Sequence, residues 1–565
     1  MPTTRSLVAA CFSLILLLGC AGAEEAQLSC RWLFVMRNMR RPGNVERTIA
    51  LLPRAKAAGY NAIVLSDGSL YGPDTDDAYK QGVRRLQQEA KRNGLDLIPC
   101  VMPIGYSGGI IGRDPNLAEG VPVKDALFVV RDGIATLQPD PPVSLPGGDF
   151  EQVKDHQFSG WDFQDGIGRS SFEDHVVVHG GRTSMRMEDI GKVSPEHGHG
   201  RFMRTVTVKP FRQYHISAWV RTEDFEAPDG VQILVLAPTE EERDVGSLRP
   251  DVKATQDWTR YDFVFNSLNW NEVRIYFGSW GGKGGRLWWD DVKLEEIGLM
   301  NVLRRDGCPL SVRGENGAAY EEGRDFEQVR DLHLAPWEAY HEPPVIHLTA
   351  DSRIKEGERL RVSYYHSVVI GDSQVMCCLS EPKVYDILRE QVQAVEDLLH
   401  PKAFFMQHDE IRCANWDEAC QSRKLTPGQM LADNVKRCTE IIRKIRPDAE
   451  IWVWSDMFDP MHNAHDDYYL VNGTWAGSWE GLDPSVGVVN WYGELKGKNA
   501  KFFADRGHKQ VLAGYYDSDD DGTAIAQWLA NTQSLPGMAG AMYTTWQDKY
   551  EAMEAWAQKA WGKTE

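Results

Sequence analysis

Ala403-Phe404-Phe405-Met406-Gln407-His408-Asp409-Glu410 is a run of four apolar residues followed at once by polar and acidic ones. That is the pattern of a short buried strand that delivers its last side chains to a rim. Upstream, the apolar spacing of Pro382 to Leu399 predicts a helix. Downstream, a second helix is predicted from Pro427, with Thr426 as its cap and proline at the first position. The alternation continues through strands Ile451 to Trp454, Val486 to Trp491, Gln510 to Tyr516 and Ala539 to Trp546, with a terminal helix to Trp561. The same rhythm opens the chain: Leu33 to Met36, Ala62 to Leu65 and Leu95 to Val101 read as strands. Between them lie helices striped by Val45, Ile49 and Leu52, then by Tyr79, Val83, Leu86 and Ala90. Three strands before the break and five after it make eight, so the fold class is α/β, a (β/α)8 TIM barrel.

The break itself is all β. Across 147–298 the helical period disappears and strand-length alternation replaces it, as in His215 to Val220, Ile233 to Leu236 and Val273 to Phe277. This predicts a jelly-roll sandwich inserted after strand three. The glycine-rich stretch Gly278 to Gly285 is expected to be a loop between its strands, since no helix follows. The expected organisation is therefore 1–23 signal peptide, 30–125 first part of the barrel, 147–298 sandwich, 299–360 β-rich bridge and 361–565 second part of the barrel. Met1 to Arg5 carries one cation, Leu7 to Leu18 is apolar and Ala21-Gly22-Ala23 offers a cleavage site. Leu17-Leu18-Gly19-Cys20 also matches a lipobox. Both readings mean export, either as an outer-membrane or cell-surface lipoprotein or as a periplasmic or secreted protein.

The 565 residues suffice for three or four folding units at roughly 150 residues each. The net charge of −20 removes nucleic acid as a default partner, and leaves a membrane only through a lipid anchor at Cys20. Beyond Ala23 there are eight cysteines, with no C-x-x-C pair and no histidine at ligand spacing from Cys413 or Cys420. Buried thiols or one or two disulfides are expected, with no structural zinc and no cofactor. Asp517-x-Asp519-x-Asp521-Gly522 starts like a calcium loop, but its twelfth position is Trp528, so Asp521 is expected to cap the next helix instead.

Barrel active sites sit at the carboxyl ends of the strands. Those ends carry Arg37, then His408-Asp409-Glu410, Trp454 with Asp456, Trp491, Tyr515 with Asp517, and Trp546 with Asp548. Indole faces stack on sugar rings and carboxylates accept hydroxyl hydrogen bonds, so this rim reads as a monosaccharide subsite for an oligosaccharide or glycoconjugate substrate.

These residues resemble glycoside hydrolase family 20, the β-N-acetylhexosaminidases, over roughly 31–110 and 380–560. The likeness rests on an Arg after strand one (Arg37), an Asp-Glu pair after strand four (Asp409-Glu410) and Trp454-Ser455-Asp456 on strand five. Tyr515-Tyr516-Asp517 and Trp546-Gln547-Asp548 complete it. The sandwich resembles carbohydrate-binding modules of the family 4/9 type, through Gly147 to Glu151 with Gly160-Trp161, His179 to Arg186 and Trp288 to Leu294. It implies either sugar binding or a spacer. The barrel departs from the family before the acidic pair, where Gln407-His408 replaces Gly-Gly, and on strand three, where Cys100 to Tyr106 lacks the family's Glu, Asp and His.

The family resemblance implies exo-acting, retaining hydrolysis of a terminal β-linked N-acetylhexosamine, with the 2-acetamido oxygen as nucleophile. Glu410 would then be the general acid, Asp409 would orient the acetamido N–H, and Tyr515 would hold its oxygen. Arg37 and Asp548 would take the outer hydroxyls, and Trp454, Trp491 and Trp546 would form the walls. His408, Asp456 and Asp517 belong to the same expected pocket. Two other readings stand beside this one: a glycosidase on a non-acetamido sugar with a carboxylate nucleophile, Asp456 being the candidate, and a glycan-binding surface lipoprotein without catalysis.

Overall fold

Eight parallel strands close on themselves in the computed structural model: β1 (Cys30–Met36), β2 (Ala62–Ser66), β3 (Asp96–Val101), β4 (Ala403–Met406), β5 (Glu450–Trp454), β6 (Val486–Asn490), β7 (Gln510–Tyr515) and β8 (Met538–Thr544). The structure describes residues 28–71, 76–239, 243–371, 374–491, 493–495 and 497–562, so the export segment with Cys20 lies outside the described residues. Closure comes from β8 pairing with β1, Gly540 opposite Cys30 and Tyr543 opposite Leu33. A Cβ at position 540 would fall 1.7 Å from the Cys30 carbonyl oxygen, so only glycine lets these two strands meet. β3 and β4 are neighbours, Cys100 opposite Phe405 and Val101 opposite Met406, although residues 102–402 run between them. The barrel thus closes across its own insertion.

Strand alternation divides the core in two. Trp32, Phe34, Val64, Cys100, Phe405, Trp452, Trp454, Val489, Val511 and Met542 fill the barrel interior. Their neighbours Leu33, Val35, Ile63, Leu65, Phe404, Met406, Ile451, Val453 and Leu512 face outward into a layer shared with the helices. Those helices are α1 (Asn44–Ala57), α2 (Asp77–Arg92), α3 (Pro382–Leu399), α4 (Pro427–Ile445), α5 (Lys498–Ala504), α6 (Thr523–Thr532) and α7 (Met553–Trp561). α4 begins as its sequence demands: Thr426 accepts from the Gln429 backbone, the Gln429 side chain returns the bond, and Pro427 sits at the first turn. Between β5 and β6 the helical elements are only the short turns Asp456–Phe458 and Ser478–Gly481.

The sandwich consists of two five-stranded sheets, whose core packs Phe150, Trp161, Phe202, Phe277 and Trp289. The glycine-rich stretch is a loop between strands Glu272–Ser279 and Arg286–Ile297. A second unit lies between barrel and sandwich. Strand Val121–Arg131 pairs with Arg359–His366, and both join a six-stranded sheet with Ser311–Gly314 and Ile134–Leu137. The sandwich is therefore inserted into a sheet that is itself inserted into the barrel, and residues 299–360 form half of that sheet. Buried Arg212 fastens the two β units, pairing with Glu296 at 3.1 Å and donating to the carbonyls of Lys124 and Asp125. Arg243 of the sandwich reaches the barrel rim and donates to the carbonyl of Val471 at 2.8 Å. Among the described residues, no helix is long and apolar enough to cross a membrane.

Candidate active site

The carboxyl ends of the strands surround a cavity of about 1240 Å³, lined by Arg37 and Asn38 after β1, Ser66 on β2, Tyr106 after β3, Gln407, Asp409 and Glu410 after β4, and Trp454, Trp491, Tyr516 and Trp546. Alternation accounts for most of this set. On β4, Phe405 points inward, and Gln407 and Asp409 continue that parity into the cavity. His408 has the opposite parity. It is buried against α4, with its Nε2 3.0 Å from Asn434 Oδ1, and burial lowers its pKa to about 4. His408 is thus a packing residue, outside the pocket expected for it. Trp454 is likewise the next inward residue after Trp452 and forms the floor, with Phe34 and Phe405 at 5.7 and 4.9 Å between ring centroids.

Glu410 breaks the alternation. Its φ of +50° is a left-handed conformation that costs a non-glycine residue about 1–2 kcal/mol, and it turns the side chain to the cavity beside Asp409. Three contacts hold it there. The Glu410 backbone N–H donates to Asp456 Oδ2 at 2.9 Å, Tyr106 O–H donates to Glu410 Oε2 at 2.5 Å, and Arg412 donates to Oε1 at 2.8 Å. Arg412 is itself stacked over Tyr469, 4.7 Å from the ring centroid. The loop after β3 approaches so closely that a Cβ on Gly105 would lie 1.5 Å from the Asp409 carbonyl oxygen.

Three carboxyls share this corner. Asp409 is half-buried with its Oδ1 shut off from solvent, and desolvation first, then the charges of Asp456 and Glu410, hold its pKa well above the ordinary range. Burial raises Asp456 to about 7, opposed by the Glu410 backbone N–H. Asp456 also accepts from Asn463 at 3.0 Å. It lies beneath Glu410 and does not line the cavity. Burial and mutual repulsion thus favour the protonated forms of Asp409 and Asp456.

The opposite wall is built on an ion pair. Arg37 Nε lies 2.5 Å from Asp548 Oδ1, and its guanidinium stands over the Tyr550 ring at 4.9 Å. Asp517 faces away from the cavity: it accepts from the Thr545 hydroxyl at 2.5 Å and from the Trp546 backbone N–H at 2.9 Å, so it positions the loop that carries Trp546. Trp546 is 40% exposed and leans on Phe34, Trp454 and Tyr516.

Tyr515 does not line the cavity. By alternation it should follow Val511 and Ala513 inward, but Tyr515, Tyr516 and Asp517 all have positive φ (76°, 47° and 60°), and the turn sends the Tyr515 ring outward onto Tyr543 at 4.1 Å. Tyr516 takes the inward place, parallel to Trp491 at 5.7 Å. The start of α6 is capped by two carboxylates: Asp521 accepts from the Thr523 backbone N–H and hydroxyl, and Asp519, which the sequence did not single out for this, accepts from the N–H groups of Ala524 and Ile525. Tyr106, Gln407, Arg412 and Tyr516 escaped the sequence reading. Gln407 was within reach of strict alternation from Phe405; Tyr106 and Arg412 lie on loops with no periodic signal.

No family model and no curated protein matches this sequence. Among solved structures, a chitobiase of Flavobacterium johnsoniae is 10% identical, with 94% of this chain and 48% of that one covered at a TM-score of 0.39. A family 20 β-N-acetylglucosaminidase is 9% identical over 95% and 70% of the two chains, TM-score 0.35. A family 4 carbohydrate-binding module matches 27% of this chain and 99% of its own at 14% identity, TM-score 0.20.

Proposed function

We propose that this protein is a glycoside hydrolase that removes a terminal β-linked 2-acetamido sugar, with the substrate's acetamido oxygen as nucleophile. The observation that carries the reading is the adjacent pair Asp409-Glu410, with Glu410 gripped by Tyr106 and Arg412, in a cavity floored by Trp454 and lined by Trp491 and Trp546. Glu410 protonates the leaving oxygen and then deprotonates the incoming water. Burial and the neighbouring carboxylates favour the protonated form of Asp409 in the free protein. A substrate that becomes cationic around its acetamido group supplies the missing counter-charge, so the ionised carboxylate is stabilised as that charge develops, its proton leaving to solvent. Arg37, on the cavity wall, would take an outer hydroxyl of the ring, with Asp548 holding its guanidinium from outside the lining, and Tyr516, which lines the cavity where Tyr515 does not, would meet the acetamido group.

What favours this over an enzyme nucleophile is the position of Asp456, which is buried under Glu410 with Oδ2 committed to two N–H donors. The test is a panel of aryl glycosides with and without the 2-acetamido group. Wild type should cleave only the acetamido series and be inhibited by thiazoline mimics, and Glu410→Gln should lose about 10²- to 10⁴-fold in kcat. Full activity in Glu410→Gln would sink the proposal, as would a covalent adduct formed with a fluorosugar. Export, with Cys20 as a lipid attachment point, belongs to the same proposal and is tested by labelling with a fatty-acid probe in wild type and Cys20→Ala.

A further inference from the structure

A second polar cluster lies where the inserted β units rejoin the barrel, and none of its members lines the cavity. Glu119, Cys378, Asp417 and Cys420 are all buried, and one ligand atom from each lies within 4.8 Å of all the others. They come from separate stretches of chain: the exit from the barrel, the segment before α3, and the short helix after β4. We propose that these four side chains form a tetrahedral site for a thiophilic divalent cation, zinc by the chemistry of its donors, and that the ion clamps the insertion to the barrel.

The spacing suits such an ion. Zinc–sulfur bonds of about 2.3 Å and zinc–oxygen bonds of about 2.1 Å place tetrahedral sulfur–sulfur neighbours about 3.8 Å apart and sulfur–oxygen neighbours about 3.6 Å apart. Cys378 Sγ is 3.5 Å from Cys420 Sγ and 3.6 Å from Asp417 Oδ1, and Cys420 Sγ is 3.5 Å from Glu119 Oε2. The carboxylates are also oriented from behind, as metal-bound carboxylates are. Glu119 Oε1 accepts from the Trp416 N–H at 2.7 Å, which leaves Oε2 toward the thiols. Asp417 Oδ2 accepts from Arg305 at 2.6 Å, and Oδ1, held by the Cys420 N–H at 2.9 Å, faces Cys378. Arg305 is fixed in turn by Glu381 and by the carbonyls of Asn116 and Ala118.

The cation and Arg305 offset most of the donor charge: two thiolates and two carboxylates bring −4, the cation +2 and Arg305 +1, leaving −1, with Glu381 beside Arg305, and each thiol releases its proton to water as it becomes a ligand. Thiolate donors select zinc over magnesium or calcium.

The full chain, unfolded with a chelator and refolded with and without zinc, tests the proposal. Expected are one zinc per chain retained through gel filtration, a raised Tm in the zinc-refolded protein, and, on refolding with cobalt, the visible bands of a tetrahedral thiolate complex. Cys378→Ser and Cys420→Ser should lose the stoichiometric metal. If either fails to fold, Glu119→Gln and the wild-type cobalt spectrum still decide. Zinc-refolded protein without bound metal overturns the proposal. So does a Cys378–Cys420 disulfide, seen as a mass two hydrogens lighter with neither thiol alkylated.

Discussion

Asp456→Asn isolates the electrostatics of the carboxyl cluster. The substitution keeps the shape of the side chain, and its amide oxygen can still accept from the Glu410 N–H and from Asn463, so the turn that presents Glu410 should persist. What it removes is a titration. Asp456 binds its proton with a pKa of about 7 when folded, against 3.8 as the ordinary value. Below the lower value both states are protonated. Between the two, the folded state holds a proton that the unfolded state has lost, so stability falls as pH rises, until the folded group also ionises. A shift of this size corresponds to up to about 4 kcal/mol. Asp409 adds to the trend with the same sign, and in the variant, relieved of its first-named neighbouring charge, it should titrate lower. Urea unfolding of wild type and Asp456→Asn at pH 5 and pH 8, followed by tryptophan fluorescence, reads the effect. Wild type should lose stability across this interval, and the variant should lose markedly less. Parallel pH dependence in the two proteins would refute the argument that burial places a proton on Asp456.

Gly105→Ala should displace Asp409, whose carbonyl oxygen lies 1.5 Å from the new Cβ, and on the proposed function should therefore lower kcat even though the residue does not line the cavity; unchanged kinetics would show that the loop after β3 yields. Asp519→Ala removes a carboxylate that caps two N–H groups of α6, and should cost about 0.5–2 kcal/mol in a denaturant titration, against a smaller loss for Asp521→Ala, which frees one. Trp546→Ala removes an exposed stacking face and should raise KM roughly 2- to 12-fold, equivalent to about 0.5–1.5 kcal/mol, with a smaller change in kcat.

The sequence by itself determined the elements whose information is local. Alternating apolar runs, helical stripes and a capping box place eight strands and their helices in order, and the residues that end each strand name a rim. Arg37, Asp409, Glu410, Trp454, Trp491 and Trp546, which line the cavity, were legible for that reason, since position at a strand's end follows from periodicity alone. Periodicity fails where the backbone leaves the extended region. The left-handed turn at Tyr515 exchanged it for Tyr516, and parity, overlooked at His408, put that ring into the outer layer. Contacts between distant segments carry no local signal at all. Tyr106 and Arg412 reach Glu410 from separate loops, Asp456 comes to lie beneath it, the strands flanking the sandwich form one sheet, and Glu119, Cys378, Asp417 and Cys420 meet only when the barrel closes across its insertion. Side-chain direction and burial are settled by packing, and they decide which carboxyls keep their protons and which thiols become neighbours.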